Sequence, residues 1–260
     1  IDKTGKVIPT KKYEKVGYIM EGYSDRIAVY ENGAMGWIDR NGEEVIPCKY
    51  VGSSTFDKQY GFACVTPFDS KMGAYGFIDK MGETVIDFQF IQAGSSSFHN
   101  GFCRVSKGGK TVLIDSSGTV QFTPKYNSLQ NYAHGVMPVA TKANRKGWGY
   151  LNLKNELVVP GIYDAASTFN SEGFAVVEKN GKKGLLRKDL ELVLPLEFAT
   201  IYCDAEDDGY ICAVLPVDTP MSLHKTPKKY FDAELNSIDV GESTLIPANG
   251  SSRIPFLNAE

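Results

Sequence analysis

The chain has 260 residues, 42% of them apolar and 12% aromatic, enough to bury a substantial core in one large domain or two small ones. A formal charge of −3 and a pI of about 5.7 argue against bulk nucleic-acid affinity and against a polybasic membrane module. No apolar run approaches the roughly 18–20 residues of a membrane helix.

The chain begins at Ile1 without a methionine, so an upstream piece is expected. Its five cysteines (Cys48, Cys64, Cys103, Cys203 and Cys212) are odd in number, widely spaced and without a C-x-x-C pair. That pattern suggests neither a zinc site nor a disulfide framework. Small buried thiols are expected instead, which favours a reducing, cytoplasmic setting.

Taken in order, the chain repeats itself. It opens with "IDKTGKVIP", ending at Pro9, and the pattern returns as "GWIDRNGEEVIP" (36–47) and "GFIDKMGETVID" (76–87). It recurs as "VLIDSSGTVQFTP" (112–124), "GYLNLKNELVVP" (149–160) and "GLLRKDLELVLP" (184–195). The anchors Ile1, Ile38, Ile78, Ile114, Leu151 and Leu186 are 37, 40, 36, 37 and 35 residues apart. An aromatic follows each proline slot in phase: Tyr13, Tyr50, Phe90, Tyr126, Tyr163 and Phe198. A glycine then opens an apolar run, at Gly61, Gly101, Gly135, Gly173 and Gly209. Self-similarity at a fixed period marks a repeat architecture.

Each unit reads as three short strands. Strand A carries the Gly-aromatic-apolar-Asp run. A turn with Asp first and Gly fourth follows, as in Asp39 to Gly42. Strand B holds the Val-Ile-Pro segment, whose proline belongs at a strand end or edge. Strand C is the Gly-Phe-Ala-Val type run, and little helix is expected. The fold class is therefore all-β, in tandem repeats of about 37 residues with three short antiparallel strands each. A propeller-like arrangement is expected, with an open curved array as the alternative. Six units fill residues 1–217, an insertion or cap loop takes 218–236, and a partial seventh unit, "SIDVGESTLIP", lies in 237–260.

The stretch "KGWGYLNLKNELVVPGIYDAASTFNSEGFAVVEKNGKKG" (146–184) resembles the WG repeat of bacterial proteins, and the resemblance covers about residues 1–217. The tryptophan slot holds Trp148 once, and elsewhere Met35, Tyr75, Thr111 and Lys183. The glycine slot is kept at Gly36, Gly76, Gly149 and Gly184 but is Val112 in the third unit. The resemblance implies a β-rich module with no common catalytic activity. Trp148 is expected to pack over its glycine in a repeat core.

"SKGGKT" (106–111) looks like the end of a phosphate loop, but a strand follows where a helix N-terminus is needed. No H-E-x-x-H or G-x-S-x-G occurs, and His99, His134 and His224 share no ligand spacing. The periodic Asp2, Asp39, Asp79 and Asp115 read as turn caps, since a repeated column supplies equivalent carboxyls rather than an acid and a base. Asp204, Glu206 and Asp208 alternate before Gly209 as calcium-loop oxygens do. The twelfth position is Leu215, which excludes an EF-hand, so weak or no calcium binding is expected.

The C-to-A turns of units three to five are basic: Lys107 and Lys110, then Lys142, Arg145 and Lys146, then Lys179, Lys182 and Lys183. They suggest a docking ridge for a protein or polyanionic ligand. Exposed aromatics such as Tyr60, Phe68 and Tyr230 would suit a carbohydrate-binding module on a bacterial surface protein. No enzyme activity, cofactor or nucleic-acid partner is expected.

Overall fold

The computed structural model describes residues 12–17, 25–53, 55–71, 73–93, 97–203, 210–216 and 227–238. These residues form 22 β-strands and no helix. The chain divides into two compact units, residues 1–125 and 126–260.

In the first unit, β1 (Lys15–Val16), β2 (Ile27–Glu31), β3 (Ala34–Ile38), β4 (Glu44–Gly52), β5 (Ala63–Pro67), β6 (Tyr75–Ile78) and β7 (Thr84–Phe90) pair in chain order. Then β8 (Gln92–Ala93), β9 (Cys103–Lys107), β10 (Lys110–Ile114) and β11 (Val120–Phe122) make a four-stranded sheet. The second unit holds three more. They are β12 (Val136–Ala140) to β14 (Leu157–Tyr163) around β13 (Trp148–Asn152); β15 (Ala165–Ala166), β16 (Phe174–Lys179), β17 (Lys182–Arg187) and β18 (Leu192–Phe198); and β19 (Thr200–Tyr202), β20 (Ile211–Val214), β21 (Lys228–Phe231) and β22 (Ser237–Ile238). Every pairing is antiparallel.

The all-β repeat class is as expected, but the structural module is out of phase with the sequence unit. A module takes strand C of one unit and strands A and B of the next. It gains a fourth short strand from the end of the preceding strand B. Residues 50–52 of β4 pair with β5, and β8, β15 and β19 pair with β9, β16 and β20 in the same way. In the fourth module a single bridge, Leu129 to Val139, takes that place. We number these modules I to VI.

The glycine slot explains the crossing of strand B. In modules I, II, IV and V the pairs are Met35–Tyr50 and Trp37–Ile46, Tyr75–Phe90 and Phe77–Ile86, Trp148–Tyr163 and Tyr150–Val159, Lys183–Phe198 and Leu185–Leu194. Strand B thus advances four residues for two on strand A, and its bulge presses on the glycine. A Cβ on Gly36 or Gly149 would collide with the carbonyl oxygen of Ile46 or Val159, and one on Gly76 would lie 2.6 Å from that of Ile86. In module III the slot is Val112, and strand B is only the three residues of β11, its last ladder pair being Leu113–Phe122.

The core column follows the glycine. Trp37, Phe77, Leu113, Tyr150 and Leu185 are fully buried, and Tyr230 nearly so. Trp148, in the slot before the glycine and opposite Tyr163, is only half-buried at the margin of its cluster. A second aromatic row closes the cores of modules I, II and IV. Trp37 meets Phe56 at 5.3 Å, Phe77 meets Phe98 at 5.4 Å and Tyr150 meets Phe169 at 5.3 Å between ring centroids.

The A-to-B turns share one geometry. Asp39 Oδ1 accepts from Asn41 N (2.8 Å) and Glu43 N (2.9 Å); Asp79, Asp115 and Asn152 do the same for their own turns. The fourth residue has positive φ: Gly42 (88°), Gly82 (87°), Gly118 (79°), Asn155 (61°), Leu190 (72°) and Leu235 (70°). Gly82 and Gly118 close on Ile46 and Ile86 of the preceding module. Leu190 and Leu235 instead add side chains to the preceding core clusters, and that burial offsets a backbone conformation costly for a leucine. Leu190→Gly is therefore expected to be more stable than Leu190→Ala by about 1 kcal/mol, the reverse of the usual order. Urea midpoints of the two variants check this.

Hydrogen bonds hold four of the turn carboxyls below the ordinary range. The donors are the Glu43 backbone for Asp39, the Ser117 hydroxyl for Asp115, the Arg187 guanidinium for Asp189 and the Asn236 side chain for Asp232. A lowered pKa means the folded chain binds the proton less readily than the unfolded one. This stabilisation is complete above the ordinary carboxylate range and is lost as pH falls through the lowered values. The melting temperature is expected to fall in acid, and to fall less when all four are changed to Asn.

One strand lies where an insertion was expected. Lys228–Phe231, inside 218–236, is strand A of module VI: Asp232 caps its turn by accepting from Asn236 N (2.7 Å), and Phe231 pairs with Ser237. The glycine that would reveal it in the sequence is Lys229. "SIDVGESTLIP" begins as the strand B that follows, and residues 239–247 lie outside the described residues.

Candidate binding surfaces

The C-to-A hairpins expose the basic residues. In module III, Lys107-Gly108-Gly109-Lys110 is a two-residue hairpin with φ of 57° and 75° at its glycines. Lys179-Asn180-Gly181-Lys182 in module V repeats it, with φ of 53° and 72°. Positive φ at both central residues defines the turn whose twist matches paired strands. This geometry accounts for "SKGGKT" as a hairpin rather than a phosphate loop.

Lys107 stands directly opposite Lys110, and Lys179 directly opposite Lys182. Like charges so placed repel. Lys107 Nζ donates to Gln89 Oε1 at 2.9 Å and lies 6.0 Å from the centre of the Phe90 ring. Lys183 faces Glu178 across the strands. In module IV the turn is longer: Lys142 N donates to Lys146 O, Arg145 N to Lys142 O, and Thr141 N and Oγ1 to Gly147 O. Lys107 and Lys110 belong to the first unit, and Lys142, Arg145, Lys146, Lys179, Lys182 and Lys183 to the second. None of the eight forms an ion pair among the described residues.

A second surface lies in the first unit. A groove of about 370 Å³ is lined by Lys49, Tyr50, Phe68, Asp69 and Phe88. Phe68 is 52% exposed, and Phe88 stacks on Tyr50 at 6.3 Å and 25°. The other two aromatics considered for sugar contact are placed differently. Tyr230 is buried in β21, and Tyr60 is half-buried against Phe62 and Phe98. A strand-like alternation around Tyr230 was hidden by the two lysines before it.

The two described histidines are held singly, and His224 lies outside the described residues. His134 Nε2 lies 2.9 Å from the Asn170 carbonyl oxygen, and His99 N donates to Phe102 O. The acidic residues Asp204, Glu206 and Asp208 lie outside the described residues. All five cysteines are free: Cys64, Cys103 and Cys212 are buried, Cys48 and Cys203 half-buried. Burial pushes the Cys64 and Cys103 thiols up to about 12, so both stay protonated and poor nucleophiles at neutral pH. No helix among the described residues is long and apolar enough to cross a membrane.

Residues 35–66, 75–110 and 148–182 match the family described as "WG containing repeat". The chain carries WG repeats. Each matched WG repeat begins in strand A at the slot before the glycine and runs through strand B into strand C. No curated protein matches the chain. Among solved structures it is similar to "Crystal structure of the eukaryotic initiation factor", with a TM-score of 0.52, 10% identity, and 90% of this chain covered. The chain spans 65% of that structure, and the likeness is one of fold alone. It also aligns with "KlHsv2 with loop 6CD replaced by a Gly-Ser linker" at a TM-score of 0.41 and 9% identity, over 85% of this chain and 80% of that one.

Proposed function

We propose that this WG-repeat chain is a non-catalytic interaction module that docks an anionic partner on its basic hairpin turns. The observation that carries the reading is the repeated juxtaposition of like-charged lysines, without an ion pair among the described residues, across two-residue turns, at a repulsive cost that the fold does not require. The propeller-like arrangement expected of such repeats belongs to the same proposal. Retention on a sulfated-polysaccharide column should fall steeply with salt. It should be lost in the Lys142/Lys146/Lys182→Glu variant, and equal retention of variant and wild type would refute the reading.

A second reading, carbohydrate binding, is favoured by Phe68 alone. Its exposed ring beside the stacked Tyr50–Phe88 pair, between Lys49 and Asp69, offers an apolar face with polar groups at its edge. Glycan-array binding lost in Phe68→Ala and kept in the triple charge reversal would select it.

A further inference from the structure

Modules III and V are built alike at the basic turn but differ at one neighbour. In module V, Asp164 N donates to Glu178 O at 2.7 Å, which places Asp164 beside the turn, and its Oδ2 accepts from Asn180 N, also at 2.7 Å. The chain thus lays one of its own carboxylates on the hairpin backbone between Lys179 and Lys182. In module III the same backbone bond runs from Ile91 N to Ser106 O at 3.0 Å. Gln92 pairs with Ser106 as Ala165 pairs with Glu178, so Ile91 stands where Asp164 stands. Ile91 cannot accept a hydrogen bond, and it is 65% exposed. Nothing lies within 4 Å of the space that a Cβ on Gly108 or Gly109 would occupy. The Gly108 N–H, matching that of Asn180, has no acceptor among the described residues.

We propose that the Lys107–Lys110 turn of module III docks a carboxylate of an acidic peptide segment, and that Asp164 fills the same place in module V from within the chain. The inference rests on the anionic-docking reading and assigns it a chemistry and a location. The Gly108 N–H and two ammonium groups supply charge-assisted donors to the carboxylate. The exposed Ile91 adds an apolar contact for the residue beside it, which favours a peptide over a bare anion.

Poly-L-glutamate is the probe, with the full chain at low salt. Ile91→Asp installs the internal carboxylate of module V and should weaken binding about tenfold without lowering the melting temperature. Ile91→Val, uncharged, apolar and without an acceptor, should keep at least about half the affinity. Asp164→Ala, which uncovers the module V turn, should strengthen binding. Unchanged binding in Ile91→Asp, while Lys142/Lys146/Lys182→Glu loses it, overturns this assignment and leaves the broader reading intact. An equal loss in Ile91→Val and Ile91→Asp overturns it too, as does binding to phosphatidylserine vesicles with none to poly-L-glutamate. If Lys107/Lys110→Glu binds as well as wild type, this assignment falls, and if wild type binds none of these polyanions, both proposals fall.

Discussion

Trp37→Ala is expected to cost about 3–5 kcal/mol, the largest loss for any single truncation in the first unit. The side chain is fully buried, 5.3 Å from Phe56 and 6.4 Å from Tyr50 between ring centroids. Removing it opens a cavity at the point where strand A, the strand B bulge and the Phe56 loop meet. The neighbours are strands tied by ladder bonds and cannot collapse to fill it. Trp37→Phe should lose much less, because modules I and II already show Trp37 and Phe77 in the same slot. Urea denaturation followed by circular dichroism measures the difference. Near-equal midpoints for the alanine variant and wild type would show that the aromatic column does not carry the unit.

Gly149→Ala is the second. The added methyl group would strike the Val159 carbonyl oxygen and the Pro160 backbone, neither of which can swing aside as a side-chain end can. Overpacking of this kind costs about 1–3 kcal/mol, with the upper end expected because backbone must move. Trp148 and Trp37 are the chain's two tryptophans, one in each unit, so fluorescence separates the responses. In the Trp37→Phe background, Trp148 emission should report earlier unfolding for Gly149→Ala. The control is Val112→Gly, which removes a Cβ where strand B does not cross and should lose stability without restoring a longer β11. An unaltered Trp148 transition in Gly149→Ala would mean that the bulge can slide.

These two residues also show what the sequence made legible. The glycine slot was readable because a close backbone crossing excludes every other residue type, and repetition exposed it four times. The turn carboxyls were readable because Asp39, Asp79 and Asp115 sit first in turns of one length. The location of the core was less legible. Trp148 marks the repeat but only borders the core, and the buried column is the residue after the glycine, whose identity drifts among Trp, Phe, Leu and Tyr. Hydrophobic packing accepts any of these shapes, so no single letter repeats. The fourth strand, present in the modules other than IV, was hidden for another reason. It is two or three residues long at the tail of strand B, too short to show alternation, and only its ladder bonds define it. Module VI was misplaced because Lys229 stands in the glycine slot. At the turns, composition revealed the charge, but Asp164 and Ile91 are separated from their lysines by a whole strand. Only the pairing brings them together.

The proline in the bulge of strand B has a consequence beyond its own module. Strand B is the last strand of modules IV and V, and Pro160 and Pro195 sit in its middle, opposite the glycine. A proline offers no N–H to an incoming strand, and a bulged backbone cannot form a straight ladder with one. Asp87 holds that position in module II, where a charge serves the same end. The outer edge of strand B in these modules is therefore a poor template for a second copy to zip onto. Duplicating such units in tandem lengthens the protein without making it sticky, which frees the hairpin tips to diverge in charge from one copy to the next.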